Sequence, residues 1–251
     1  MLIEIIGLPG SGKSTLLKKL MNDPDLKSFS TWQEVRVKAI RDYMINEGIE
    51  LSNFIKLIFL IPILNNYLSR ILFQFKIKYS HHAYKGFWGY FSEAVIMGIL
   101  SKKSMSPEQI PYYINWELEK IIRAQIIRYY CDNTGENVIL DEGQVTSIVT
   151  LDFNPNLFNK STLPDAILFL KNNPKIALNG ILERKEKGII NLSKRNKNEK
   201  EILYSLTEKY KRYNSSVEYL KNIGVPIIEY HRNDSYEILK QNINEVLKNM
   251  S

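Results

Sequence analysis

Gly7-Leu8-Pro9-Gly10-Ser11-Gly12-Lys13-Ser14 is the stretch on which the fold turns. It fits the pattern G-x-x-x-x-G-K-[ST] without a mismatch. It also lies between an apolar run, Met1–Ile6, that reads as a strand and a segment, Ser14–Met21, that reads as a helix. Glycines let the backbone curl so that successive amides point inward, and the helix that follows adds its positive N-terminal end. The ligand implied is a nucleoside triphosphate. Lys13 spans its β- and γ-phosphates, Ser14 offers a hydroxyl to Mg²⁺, and Thr15 reaches the α-phosphate. Pro9, Gly10, Ser11 and Gly12 complete the cradle with their backbone.

Three more apolar runs with β-branched residues follow downstream: Asn137–Asp141, Ala166–Leu170 and Val225–Glu229. Near-continuous apolar strands alternating with helices predict a parallel sheet covered on both faces. The expected architecture is therefore α/β, a three-layer P-loop NTPase fold with a central parallel sheet. All 251 residues are read as one such domain, with a long helical insertion over about 51–130 and a lid over about 184–196. Helix starts are legible at Thr31-Trp-Gln-Glu34, Ser106-Pro-Glu-Gln109, Asn173-Pro174 and Asp234-Ser-Tyr-Glu237, and the helix before Asn137 is expected to end near Tyr130.

The formal charge is +7 and the pI is about 9.2, which favours anionic partners. Part of that charge is local: Glu183–Lys200 holds seven basic residues against three acidic ones. A nucleic-acid partner is not expected, because no basic stripe with aromatic platforms accompanies the charge. The lone cysteine, Cys131, cannot form an internal disulfide, and a reducing cytoplasm is the simple reading. Met1–Ile6 runs straight into the glycine loop, so no signal peptide is expected ahead of it. Phe54–Phe75 is too interrupted by Lys56, Asn65, Asn66, Arg70 and Gln74 to span a membrane. It reads as a buried or capping helix, with peripheral membrane contact as the alternative. Oligomeric state is left open.

Chemistry is expected where strands end. Asp141 and Glu142 directly follow Val138-Ile-Leu140, at the edge where open α/β sheets place ligands. One can orient Mg²⁺ and the other can accept a proton; Asp141, read as continuing the strand, is favoured as the metal ligand. The basic segment from Arg184 to Arg195 can bring arginines over the phosphates, where a guanidinium fork offsets charge on equatorial oxygens. The pair His81-His82 lacks a third ligand at metal spacing, and His231, Trp32, Trp88, Trp116, Tyr112 and Tyr113 are read mainly as structural.

Taken together, these features resemble the P-loop kinases of the thymidylate kinase and deoxynucleoside kinase group. The resemblance rests on the phosphate loop, the strand ending in Asp141, Pro164–Leu170, the Arg184–Arg195 lid, and Val225–Glu229 with the last helix. It implies an ATP-dependent kinase whose lid arginines, Arg184 and Arg195, close over ATP. It also implies that Arg232–Asp234 border the adenine. Thymidylate kinases carry Asp-Arg followed by Tyr or His where this chain has Asp141-Glu142-Gly143, and deoxynucleoside kinases carry Glu-Arg-Ser. That departure widens the expected acceptor to a nucleotide, a nucleoside or a sugar-type alcohol. Val138–Glu142 also matches a Walker B strand, so an ATPase switch in which Glu142 activates water is the alternative.

Overall fold

A computed structural model of the chain describes residues 1–26, 28–46, 120, 123–124, 126–150, 163–188 and 198–250. The expected insertion up to residue 119, the Phe54–Phe75 segment, the Ser106–Gln109 helix start, His81-His82, Trp88, Tyr112, Tyr113, Trp116 and Arg195 lie outside the described residues.

Strand β1 is Leu2–Gly7, six residues that are all buried. A run with both faces covered must be apolar on both, and Ile3, Ile5 and Ile6 meet that requirement. Helix α1, Lys13–Met21, follows the loop. A short 3₁₀ turn, Pro24–Leu26, leads to β2, Phe29–Thr31, and then to α2, Trp32–Asn46. The segment 126–134 is helical and runs past Tyr130, where an end was expected, before the chain turns at Gly135 with φ 70°. Strand β3 is Asn137–Leu140, followed by the short helix α3, Gln144–Thr150. Strand β4 is Ala166–Leu170 and α4 is Pro174–Glu186. A 24-residue helix, α5, spans Glu199–Asn222; β5 is Ile227–Tyr230, and α6 is Tyr236–Met250.

The five strands form one all-parallel sheet in the order β2-β3-β1-β4-β5. Register places Ile3 opposite both Ile139 and Ala166, so β1 is the central strand. Side chains then alternate between two cores. Ile3, Ile5, Ile139 and Leu168 pack with Leu16 and Leu20 of α1 and with Leu239 and Ile243 of α6. On the other face Ile6, Ile167 and Phe169 pack with α3, α4 and α5 through Val145, Ala177, Leu206 and Val217. Each such side chain contributes roughly 1.5–3 kcal/mol by leaving water. The sheet is covered on both faces, which is compatible with the expected layering. Among the described residues no helix is long and apolar enough to cross a membrane.

Polar groups pin the N-terminal edge of the sheet. Asp165 accepts the amide of Leu2 at 2.7 Å and an ion pair from Arg128, which also reaches Asp132. Cys131 is buried beside this edge. Its thiol donates to the carbonyl of Met1 at 3.4 Å, and burial pushes its pKa up to about 11, which disfavours the thiolate.

Candidate functional site

Two neighbouring strands, β1 and β3, send the chain to opposite faces of the sheet: α1 joins one core and α3 the other. Such a divergence opens a crevice outside the carboxyl ends of the strands. The Gly7–Ser14 loop and the Asp141–Gly143 turn both stand at that crevice.

The loop has the backbone that its glycines permit. Gly7, Gly10 and Gly12 have φ of 147°, 87° and 96°. Gly10 also lies against α4: a Cβ there would come within 2.3 Å of the Ala177 carbonyl oxygen, and one on Gly180 within 2.4 Å of the Gly10 carbonyl oxygen. The loop and α4 therefore meet backbone to backbone. Gly12 is the N-cap of α1 and has no side chain to offer, and the first turn carries no acid. The amides that open this helix lack intrahelical partners, and among the described residues no side chain caps them.

Lys13 folds back over the loop, its Nζ donating to the carbonyls of Gly7 at 2.9 Å and Leu8 at 3.3 Å. Burial lowers its pKa to about 8. Glu142 and then Asp141 oppose that fall, while Lys209 and Arg184 add to it. Asp141, Glu142 and Arg184 are thus near enough to Lys13 for their charges to act on it. Lys209 of α5 joins them. Its position in a helix that the sequence reading did not isolate explains why it was missed. Ser14 and Thr15 are exposed at the start of α1, open to a ligand.

Contrary to expectation, Asp141 does not continue β3. The strand ends at Leu140, and Asp141-Glu142 form a bend. What holds that bend is Glu4, a residue singled out by no motif. Its carboxylate, buried in β1, accepts the amides of Gly143 at 3.0 Å, Val145 at 3.0 Å and Thr146 at 2.9 Å. Burial raises the Glu4 pKa, and the three amides work against that rise. A Cβ at residue 143 would lie 2.7 Å from Glu4 Oε2, so a side chain there would push against the carboxylate that holds the bend. The available signal was a charged residue inside an otherwise apolar strand.

One cleft lies on each side of this centre. Asp141 and Glu142 line the first, of about 250 Å³, together with Trp32, Lys120 and Arg123. The Arg123 guanidinium sits 5.7 Å from the centroid of the Trp32 ring, so Trp32 borders a pocket as well as packing. Glu34, by contrast, is occupied locally. It accepts the Thr31 amide at 2.6 Å, and the Thr31 hydroxyl donates to it at 2.8 Å, in place of accepting an amide as a full capping box would have it. The second cleft, of about 270 Å³, opens beyond β4 and β5 and is lined by Asn172, Asn173, Tyr210, His231 and Arg232.

Asn172 ties the second cleft to the loop. Buried itself, it donates from Nδ2 to the Ser11 carbonyl at 2.8 Å and accepts the Arg232 amide on Oδ1 at 3.2 Å. No sequence pattern marks it, since its partners are 161 and 60 residues away.

The donor set suits a hard, strongly hydrated cation. Ser14 supplies a hydroxyl, and Asp141 or Glu142 supplies a carboxylate. Among the described residues no group of three or more His, Cys, Asp or Glu side chains forms a metal cage. One or two oxygen ligands completed by phosphate and water is the way Mg²⁺ is ordinarily bound, so these residues fit it. A scan against protein-family models gives no match, and a search of curated proteins gives none. The functional reading therefore rests on these residues and their arrangement.

Proposed function

We propose that the protein is an ATP-dependent phosphotransferase of the three-layer P-loop type, resembling the thymidylate kinase and deoxynucleoside kinase group. The observation that carries this reading is a single juxtaposition. An uncapped helix N-terminus, Lys13 and the Asp141-Glu142 pair share one crevice, with a cleft on either side.

In this reading the triphosphate lies along Gly7–Thr15, with amides and Lys13 on its oxygens. Adenine occupies the cleft lined by His231 and Arg232, and the acceptor occupies the cleft lined by Trp32, Lys120 and Arg123. Ser14 with Asp141 or Glu142 would hold Mg²⁺, which would offset charge on the phosphate oxygens. An acceptor hydroxyl or phosphate oxygen attacks the γ-phosphorus and the bond to the β–γ bridging oxygen breaks. Where the acceptor is a hydroxyl, its proton passes to whichever of Asp141 and Glu142 is not on the metal. Arg184, with Arg195 from the expected lid, offsets charge on the transferred group.

A second reading has one specific support: Glu142 is the carboxylate that most steadies the charge on Lys13. A glutamate whose charge acts on Lys13 could activate water there, which would make the chain an ATPase switch.

The test is γ-phosphate transfer from Mg·ATP across nucleosides, nucleoside monophosphates, sugars and sugar phosphates, read by product mass, with acceptor-free ADP release alongside. A phosphorylated acceptor supports the kinase. Fast acceptor-free release that Glu142→Gln abolishes supports the switch. Failure of the wild type to bind Mg·ATP overturns both.

A further inference from the structure

Asn172 has a consequence for the loop that its two hydrogen bonds make specific. Across a trans peptide the carbonyl and the following N–H point in opposite directions, and the described chain has no cis peptide. With the Ser11 carbonyl held by Asn172 Nδ2, the Gly12 N–H is turned away from Asn172. Glycine makes this orientation insecure on its own. Gly12 has φ 96° and no Cβ, so the change of φ that turning the Ser11–Gly12 peptide requires is open to it. A turned peptide would present a carbonyl oxygen where an anion-binding amide is wanted. The Ser11 hydroxyl cannot act as the lock: its Oγ is buried and has no hydrogen-bond partner among the described residues.

We propose that Asn172 is a positioning residue that locks the Ser11–Gly12 peptide with the Gly12 N–H facing the anion site, and that its second bond, to Arg232, ties that lock to the adenine cleft. The inference rests on the nucleotide-binding reading above and assigns a task within it. The assignment of the Asn172 amide is set by its partners, because Ser11 offers a carbonyl and Arg232 an N–H. Removing the side chain frees the peptide to turn and leaves a buried carbonyl without its donor.

The experiment compares wild type with Asn172→Leu, which keeps the branched shape and loses both bonds. Binding of tripolyphosphate and of Mg·ATP is measured by calorimetry, and the Gly12 amide is followed by ¹H–¹⁵N NMR during the tripolyphosphate titration. The expected result is a loss of at least ~10-fold in affinity for both ligands in a variant that remains folded by circular dichroism. The Gly12 cross-peak, which moves in the wild type, stops responding. A merely structural residue would leave that response in place, so wild-type affinity with a responding Gly12 overturns the proposal. Should Asn172→Leu fail to fold, Asn172→Asp provides the test. It retains an acceptor for the Arg232 amide and, when ionised, has no donor for Ser11, so adenosine binding survives while tripolyphosphate binding falls. Equal retention of both ligands in Asn172→Asp overturns the proposal. Wild type that binds neither tripolyphosphate nor Mg·ATP overturns the nucleotide reading itself, and the proposal falls with it.

Discussion

Two helices of this protein begin in opposite ways. Helix α5 is closed by a reciprocal capping box: Asn198 accepts the Glu201 amide at 2.9 Å, and Glu201 accepts the Asn198 amide at 3.0 Å. Helix α1 begins at Gly12 in the left-handed region, with no side-chain cap and no acid in its first turn. Helix α4 is capped by Asn173, and the start of α3 is closed from across the sheet by Glu4. A side-chain cap in place of glycine is worth only a few tenths of a kcal/mol, a small cost the fold must offset elsewhere. It does so by packing: the loop ahead of α1 is pressed onto α4 at Gly10 and Gly180, and Leu16 and Leu20 are buried. A helix end held rigidly yet left open keeps its donors for an external anion.

The largest expected effect attacks the open end. Lys13→Ala should reduce turnover, or Mg·ATP affinity if chemistry is not rate-limiting, by at least ~10²-fold, while leaving the fold intact by circular dichroism. The same lysine should give binding a pH dependence. Its pKa is lowered to about 8 in the ligand-free protein, and a bound polyanion raises it again, so binding above pH 8 takes up a proton. Tripolyphosphate affinity, taken relative to Lys13→Ala at each pH so that the ligand's own titration cancels, should be flat below about pH 7 and then fall by up to ~10-fold per unit as pH rises beyond 8. The sign for stability is the reverse. A lysine with a depressed folded-state pKa costs stability while charged in the fold, and that cost is relieved as pH climbs above 8. Affinity that stays level through pH 9 would mean that Lys13 is not the group meeting the anion.

Rigidity at the open end can be broken separately from its charge. Gly10→Ala combines a left-handed residue with a Cβ 2.3 Å from the Ala177 carbonyl oxygen, whereas Gly12→Ala has φ 96° and nothing within 4 Å. Urea denaturation should show a loss of about 3 kcal/mol for Gly10→Ala and of about 1–2 kcal/mol for Gly12→Ala. Gly180→Ala isolates the clash, since Gly180 lies inside α4 and its Cβ would meet the Gly10 carbonyl oxygen at 2.4 Å. If all three cost the same, the close approach of loop and α4 is not what holds the loop.

The contrast between the two helix ends was only half legible in the sequence. Gly7–Ser14 announces itself because glycine, lysine and serine at that spacing have few other uses, and β3, β4 and β5 announce themselves as apolar runs between turn residues. The Asn173-Pro174 start is read correctly for the same local reason. Strand β2 escapes because Phe29–Thr31 is three residues long, too short to show a period, and Thr31 also belongs to the turn into α2. The box Asn198–Glu201 lies just beyond the expected lid, at the end of a basic run that reads as a solvated or phosphate-facing segment more readily than as a helix start. The expected box at Asp234 also resolves differently: the Asp234 carboxylate accepts the His231 amide at 2.6 Å, and α6 starts at Tyr236. Glu4 and Asn172 act across 139 residues or more in their closest-fitting contacts with the site. No local pattern encodes a partner that only the sheet order brings near.

The smallest expected effect tests whether the two ends are independent. Asn198→Ala removes the acceptor for the Glu201 amide but leaves the backbone amide of residue 198 on the Glu201 carboxylate, so about 1 kcal/mol should be lost. In a protein of this size that corresponds to a fall of roughly 2–4 °C in melting temperature. Tripolyphosphate affinity should not change, because a helix end closed by its own residues has no donors to lend. Yet α5 also carries Lys209, whose charge is felt at Lys13, and Tyr210, which lines the cleft beyond β4 and β5. A tenfold loss of affinity in Asn198→Ala, at nearly unchanged stability, would show that closing α5 sets the position of those two side chains. The capped end would then be part of the same site as the open one, and the contrast between them would be one of role within a single binding device.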